Sequence, residues 1–423
     1  MEKAKTLLWL TLLCSLNAAA ETVINEIRYE GNEVTQESVF NREIYIRTGD
    51  QFNEALIEKS RQAIMDLGLY KSVRYYLEEN YTQGNAGKKT YKVDVIFIVK
   101  EKYFNLVLPR LKIEDEDIFY GVQYKGDNLF GLNHRARILA LDLGSTNGVN
   151  ESRYSFRYFY PNINNSYYNL GLMLQAENEV DESEGVIDRQ DDSYRISITR
   201  WLNKKGRSRG WFAGGSVKYQ TRVNEDLIVR ENSESIDAIV LGAEAGYRNL
   251  NNFKFNRGGK SYGYILDWSD ESIGSEAQYT RHQFYYLSYY RFKNRPSTNL
   301  NVQLKFGHSN DKILGEYAFS LGSSDDLRGY ENNRFKGNTL FVTNVEYMFP
   351  HNKHPLLRYV VFVDAGSTYD QLNEVLHEPL NVGAGFGLRW KIKSLVNIDL
   401  RVDVGYGFTD EDYKFSFGTR HTF

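Results

Sequence analysis

Hydrophobic positions keep two different periods along this chain, and the change falls near residue 101. Before it, Val23, Ile27 and Tyr29 suggest a strand, Gly31 and Asn32 a turn, and residues 34–46 a short helix. Asn53 is placed to cap a second helix whose Leu56, Ile57, Ala63, Ile64 and Leu67 form one apolar stripe, and Gly68 is placed to end it. Two alternating stretches follow, 70–78 and 91–100, separated by a polar turn at 83–88. The order strand, helix, helix, strand, strand predicts a small α+β domain over 21–101 with both helices on one face of its sheet.

From residue 103 to residue 423 the helical period is gone and apolar and polar residues alternate, as along a strand. Tyr194, Ile196 and Ile198 oppose Arg195, Ser197 and Thr199, while Leu300, Val302, Leu304 and Phe306 oppose Asn301, Gln303 and Lys305. Near the end, Val396, Ile398, Leu400, Val402, Val404, Tyr406 and Phe408 oppose Asn397, Asp399, Arg401, Asp403, Gly405 and Gly407. A β-sandwich alternates too, but its polar face is the outer one and its apolar face needs a partner sheet. Long, even strands with charge on one side fit a transmembrane antiparallel β-barrel with a wet interior.

Sixteen strands are predicted near 104–113, 117–127, 134–145, 150–161, 166–178, 191–202, 210–223, 235–248, 260–269, 278–293, 298–309, 339–350, 356–369, 380–392, 395–408 and 413–423. Even parity leaves both ends of the barrel on the periplasmic side. Connections after odd strands, 179–190, 224–235 and 310–338, are then extracellular and long. Those after even strands, 161–165, 204–209 and 294–297, are short, with 250–259 a longer periplasmic exception.

Composition and the N-terminus change the picture in two ways. Lys3 and Lys5, an apolar stretch to Leu16 and then Ala18, Ala19 and Ala20 read as a secretory signal over 1–20, cleaved before Glu21. The single Cys, Cys14, falls inside it, and bulky Leu13 argues against a lipoprotein cysteine, so the mature chain is expected to carry no disulfide or thiolate site. No later window holds the roughly 18 apolar residues a membrane helix needs. The 32 Tyr, 24 Phe, 34 Gly and only 6 Pro instead suit a sheet with lipid on one face and aromatic girdles at the interfaces. A formal net charge of -3 gives no reason to invoke nucleic acid as a partner.

Gly31-Asn32 and the run Leu67-Gly68-Leu69-Tyr70-Lys71-Ser72-Val73 resemble a polypeptide-transport-associated (POTRA) repeat. Gly126-Asp127-Asn128-Leu129-Phe130-Gly131 resembles the first periplasmic turn of the BamA, TamA and FhaC superfamily, also called the bacterial surface antigen family. Leu327-Arg328-Gly329-Tyr330, in the longest predicted extracellular loop, is similar to that family's loop motif of aliphatic, Arg, Gly and aromatic residues. The resemblance implies a loop that folds back into the lumen and an Arg paired with acids on the two following strands. Alternation supplies them: Glu346 lies opposite Val345 and Tyr347, and Asp364, in Phe362-Val363-Asp364-Ala365-Gly366, lies opposite Val361 and Val363, so both point inward. A guanidinium fork between two carboxylates would clamp the loop. The plain alternative is a solvated Arg328 in a polar tip and two acids lining a wet lumen.

The last residues, Ser416-Phe417-Gly418-Thr419-Arg420-His421-Thr422-Phe423, resemble the terminal signal read by the barrel-assembly machinery. Ser416, Gly418 and Phe423 match it, while His421 stands where an apolar or aromatic residue is usual; Tyr413, Phe415, Phe417, His421 and Phe423 share the lipid-facing side. An edge strand must be recognised before it is paired.

The resemblance implies an outer-membrane assembly factor or translocase, surrounded by outer-membrane lipid, whose periplasmic domain receives an unfolded outer-membrane or secreted polypeptide by strand addition. A further periplasmic or inner-membrane partner stays open. Gly383, Gly385, Gly387, Gly405 and Gly407 lie on inward faces, serving either close approach of the folded-back loop or barrel curvature. One POTRA repeat is fewer than the central assembly factor or TamA carries, no plug helix of the FhaC kind fits before the first strand, and no hydrolase-sized domain or Gly-x-Ser-x-Gly elbow precedes the barrel. A reading from another class is a passive channel or surface-interaction barrel that uses acidic loops around Glu179 to Glu184. A plain porin would need neither a receptor domain nor an Arg clamp. An enzyme ranks third: Asp399 and Asp403 read as solvated lumen carboxylates, no nucleophile constellation is visible, and no cofactor is implied.

Overall fold

The computed structural model describes residues 22–83, 89–114, 117–144, 150–181, 186–203, 208–224, 234–253, 256–396 and 399–418. The expected signal segment, the tip of the 179–190 loop and the last five residues, His421 and Phe423 among them, lie outside the described residues.

The small domain runs β1 (Thr22–Glu30), α1 (Glu37–Glu43), α2 (Glu54–Asp66), β2 (Tyr70–Gln83) and β3 (Lys89–Glu101). Its sheet has the order β1-β3-β2, with β1 parallel and β2 antiparallel to β3. Asn53 Oδ1 accepts from Leu56 N at 3.2 Å and starts α2, and Gly68, at φ +79°, carries the chain out of it. The helices bury Phe40, Ile57 and Ile64 against Ile24, Val95 and Phe97 of the sheet. Leu56, expected on the buried stripe, is 37% exposed. Ser60 occupies that stripe instead, because its hydroxyl donates to Leu56 O at 2.7 Å and accepts from Tyr45 N at 2.9 Å. The first helix is shorter than the predicted 34–46, because Glu101 accepts from Val34 N and Thr35 N at 3.1 and 2.9 Å and holds those residues in a turn.

Sixteen antiparallel strands follow in one sheet. They are β4 (Asn105–Glu114), β5 (Asp117–Leu129), β6 (His134–Gly144), β7 (Asn150–Tyr160), β8 (Tyr168–Asp181), β9 (Val186–Trp201), β10 (Gly210–Asn224), β11 (Glu234–Asn252), β12 (Arg257–Ser269), β13 (Tyr279–Arg291), β14 (Asn299–Ser309), β17 (Thr339–Pro350), β18 (Leu357–Tyr369), β19 (Asn381–Lys391), β20 (Asp399–Gly407) and β21 (Asp412–Gly418). The short β15 (Phe319–Leu321) and β16 (Phe335–Gly337) pair with each other inside the long connection between β14 and β17. Every strand of the sheet pairs with its sequence neighbours, so the sheet is one meander curled into a transmembrane barrel. Tyr194, Ile196 and Ile198 of β9 are 48, 51 and 49% exposed on its outer side, as a lipid-facing row requires. Curling brings the two ends of the sheet together at the periplasmic rim, where Tyr103 N donates to Ser394 O at 3.0 Å and Lys125 Nζ donates to Val396 O. Among the described residues no ladder joins β21 to β4, the final residues of the chain lying outside them.

Three boundaries differ from the sequence reading. β8 reaches Asp181 and β9 starts at Val186, so most of 179–190 is ladder rather than loop. β11 reaches Asn252 and β12 starts at Arg257, which shrinks the long turn expected at 250–259. Strands that project beyond the lipid can be polar on both faces, and alternation is blind to them while backbone pairing is not. The third is β20, which begins at Asp399; Val396, expected to face lipid, is 1% exposed in the core of the small domain beside Phe104.

The small domain is thus built partly from barrel residues, and polar contacts fix it to several periplasmic turns. Gln36 N donates to Gly131 O at 2.9 Å and Asn128 Nδ2 to Thr35 Oγ1 at 2.9 Å. Gly131 is required there, since a Cβ would sit 2.2 Å from Val34 O. Asp66, at the end of α2, accepts from Arg209 Nη2 at 2.7 Å and from Asn252 N at 2.6 Å, and Glu43 accepts from Ser208 Oγ at 2.6 Å.

Candidate functional site inside the barrel

The connection between β14 and β17 does not stand out from the barrel. Its Leu321, Leu327 and Tyr330 are buried with Val342 of β17, which removes apolar surface from water and pulls the loop into the lumen. Leu327 leads directly into Arg328, which is 2% exposed. Nε and Nη2 of Arg328 donate to Oδ2 and Oδ1 of Asp364 at 2.6 and 2.7 Å, and Nη1 donates to Glu346 Oε1 at 2.7 Å. The Arg328 backbone N reaches Asp364 Oδ2 at 3.2 Å. Asn344 Nδ2 donates to Asp364 Oδ1 at 2.8 Å and also to Asp326 O, tying β17 to both the acid and the loop.

The structure therefore brings Arg328, Glu346 and Asp364 together. Around them it adds side chains that sequence reading did not assign. The Arg328 guanidinium lies 3.5 Å above the ring centre of Phe362, whose inward position follows from the same alternation that placed Asp364. Arg389 of β19 donates to Asp403 at 2.6 and 3.0 Å and to Glu346 Oε1 at 3.1 Å. Arg401 lies 3.3 Å from Asp403 and donates to Asp325 Oδ1 at 3.0 Å and Ser324 O at 2.9 Å in the loop. Asp403, read as a solvated lumen carboxylate, is 1% exposed and ion-paired; Asp399, read the same way, is 4% exposed. The signal for Arg389 was available: it is a charge on the inward face between Leu388 and Trp390.

Three guanidiniums thus meet three carboxylates in a buried site, where removing one partner would leave an uncompensated charge at high cost. Glycines provide the room. Gly329 has φ +96°, and a Cβ on it would lie 2.6 Å from Gly407 N. A Cβ on Gly383 would lie 2.1 Å from Arg328 O, and one on Gly407 would lie 2.5 Å from Gly329 O. Gly385 leaves space for the Phe362 ring. Gly366, expected in the site, is buried against Phe341 O and Val342 of the adjacent strand rather than against the loop. Tyr330 completes the docking, its hydroxyl donating to Val382 O at 2.7 Å.

Of the residues expected to form the terminal signal, Ser416 pairs with Asp403 and Gly418 with Arg401 of β20, and Tyr413, Phe415 and Phe417 are exposed on the outer face. Among the described residues no group of three or more His, Cys, Asp or Glu side chains is arranged to hold a metal ion.

A family model described as the Omp85 superfamily domain matches residues 128–423, and one described as the surface antigen variable number repeat, a POTRA domain, matches residues 22–102. No curated protein matches the sequence. Among solved structures, CdiB from Escherichia coli is similar at 12% identity and TM-score 0.62, covering 95% of this chain and 75% of that one. CdiB from Acinetobacter baumannii is similar at 14% identity and TM-score 0.58, covering 94% and 73%. BamA from Haemophilus ducreyi lacking POTRA domains 1-3 is similar at 16% identity and TM-score 0.53, covering 94% and 84%. These likenesses rest on the fold, whereas the family match spans most of the barrel and its lumenal loop. The chain belongs to the Omp85 superfamily, with its barrel in the outer membrane, its POTRA domain in the periplasm, and its general work the insertion or translocation of polypeptides.

Proposed function

We propose that this barrel handles unfolded outer-membrane or secreted polypeptides, receiving them on the POTRA domain by strand addition and using the Arg328 clamp to hold its lumenal loop in the working position. The observation that carries the reading is the asymmetry of the small sheet. The outer side of β1 is covered by residues 49–52, through Ile24 N to Asp50 O at 2.9 Å and Phe52 N to Thr22 O at 2.8 Å. The outer strand at the other side is β2, which no strand flanks among the described residues and which exposes Tyr76 and Leu77 at 37% each. An extended client backbone pairs with such an edge, and alternate side chains meet its apolar residues.

The same reading makes the protein a carrier of chains rather than a catalyst, with outer-membrane lipid as its surroundings and a periplasmic partner compatible with the remaining surface. A passive channel is disfavoured by a loop that fills the lumen beside β17 to β20 with buried side chains. A photo-crosslinking residue at Leu77, in cells making outer-membrane proteins, is expected to capture nascent polypeptides. Labelling only of constant, folded neighbours, together with a steady open-pore conductance in planar bilayers, would instead establish the channel.

A further inference from the structure

The two halves of the lumen differ in charge and in filling. Beside β17 to β20, guanidiniums and carboxylates balance and the loop fills the space. Beside β6 to β13, the wall lines an open cavity of about 600 Å³ whose sides include Arg135, Arg137, Arg157, Arg195 and Arg281, with Arg135 and Arg157 exposed to the lumen. Among the described residues only two carboxylates, Glu244 and Asp267, line the same space. The register concentrates the excess. Arg137 stands directly opposite Arg157, Arg157 opposite Met173, Met173 opposite Arg195, and Arg195 opposite Lys218. Four cations on five consecutive strands at one level repel each other, since like charges directly across a ladder are destabilising.

The available acids neutralise only part of this charge. Asp267 is taken by Arg281 at 2.6 Å and lies 3.7 Å from Arg195, and Arg137 reaches Asp127 at 2.7 Å. Arg135 lies 4.4 Å over the Phe159 ring, and among the described residues neither it nor Arg157 has a carboxylate at ion-pair distance. The Nε atoms of Arg195 and Arg281 are buried without an acceptor.

We propose that this cavity is a binding site for a phosphate-bearing anion. Guanidinium forks match tetrahedral oxyanions, and the apolar Phe159, Met173 and Ile265 in the wall suit an organic remainder. Its size is that of small-molecule sites, on the order of 300 to 1,000 Å³. The site is independent of client handling at the POTRA edge. The phosphate can come from solution or from a phospholipid headgroup, and the test separates the two.

The full chain, purified in detergent without phosphate, is unfolded thermally with tryptophan fluorescence as readout, in sodium chloride, sodium phosphate or glycerol phosphate at matched ionic strength. Wild type is expected to unfold at a higher temperature in phosphate than in chloride. Arg157→Gln, which relieves repulsion, is expected to unfold no lower than wild type in chloride and to lose most of the phosphate response, while Arg157→Lys keeps part of it. A larger response to glycerol phosphate assigns the site to a lipid headgroup, and a response to inorganic phosphate alone assigns it to a free anion. Equal midpoints in phosphate and chloride overturn the proposal, as does a phosphate response that survives in the folded Arg135→Gln, Arg157→Gln double variant.

Discussion

Arg328 and Arg389, one from the infolded loop and one from the barrel wall, donate to the same oxygen, Glu346 Oε1, at 2.7 and 3.1 Å. The loop is therefore held through a carboxylate that the wall would keep occupied without it, and the two cations are energetically coupled. Arg328→Ala strands Asp364 in a buried site and is expected to cost roughly 3–5 kcal/mol, as when one partner of a buried pair is removed. The barrel should stay folded, its loop becoming open to added protease between residues 310 and 338. The Arg328→Ala, Arg389→Ala double variant should differ from the sum of the singles by about 0.5–3 kcal/mol in a double-mutant cycle. Strict additivity would show that Glu346 does not link them.

Gly383 tests the close approach rather than the charge. A methyl group at this position would meet Arg328 O, so Gly383→Ala is expected to displace the loop at a cost of about 1–3 kcal/mol. Hydrogen exchange should rise at residues 327–330 and stay unchanged in the ladder between β12 and β13. Unaltered exchange in the loop would count for simple curvature as the role of this glycine.

Asp66 and Arg209 fasten the small domain to the barrel. Removing either, in Asp66→Asn or Arg209→Ala, is expected to weaken docking by about 1.5–3 kcal/mol, the range for hydrogen bonds to charged groups. The check is the mobility of a spin label on α2, which should increase in both variants. A label that stays immobile in both would show that the buried Val396 contact suffices.

Glu43 gives docking a pH dependence. Burial pushes its carboxyl up from the usual range, against the opposing pull of Ser208, Arg42 and Arg209. A carboxyl whose folded pKa lies above its unfolded value binds protons more tightly when folded, so its contribution grows as pH falls through that raised pKa and is lost as pH rises above it. Docking measured by the α2 spin label should thus be firmer on the acidic side of that raised pKa than on its alkaline side. Glu43→Gln, which can still bond Ser208, should flatten that difference, and an unchanged pH profile in the variant would exclude Glu43 as its source.

Alternation by itself determines most of the fold. It fixed sixteen strands, their inward and outward faces, and the inward aim of Glu346 and Asp364, because a strand's period of two commits every second side chain to one side. Asn53 and Gly68 likewise marked both ends of α2 through purely local backbone needs. What alternation cannot state is what lies across the lumen from an inward residue. Arg389, Arg401 and Asp403 became one network with Arg328 only when curling placed β17 to β20 around the loop, and Val396 became core only when the small domain swung beneath the rim. Ion pairing and burial depend on distances between residues far apart in the chain, and those distances are set by the curling of the whole sheet rather than by any segment of it.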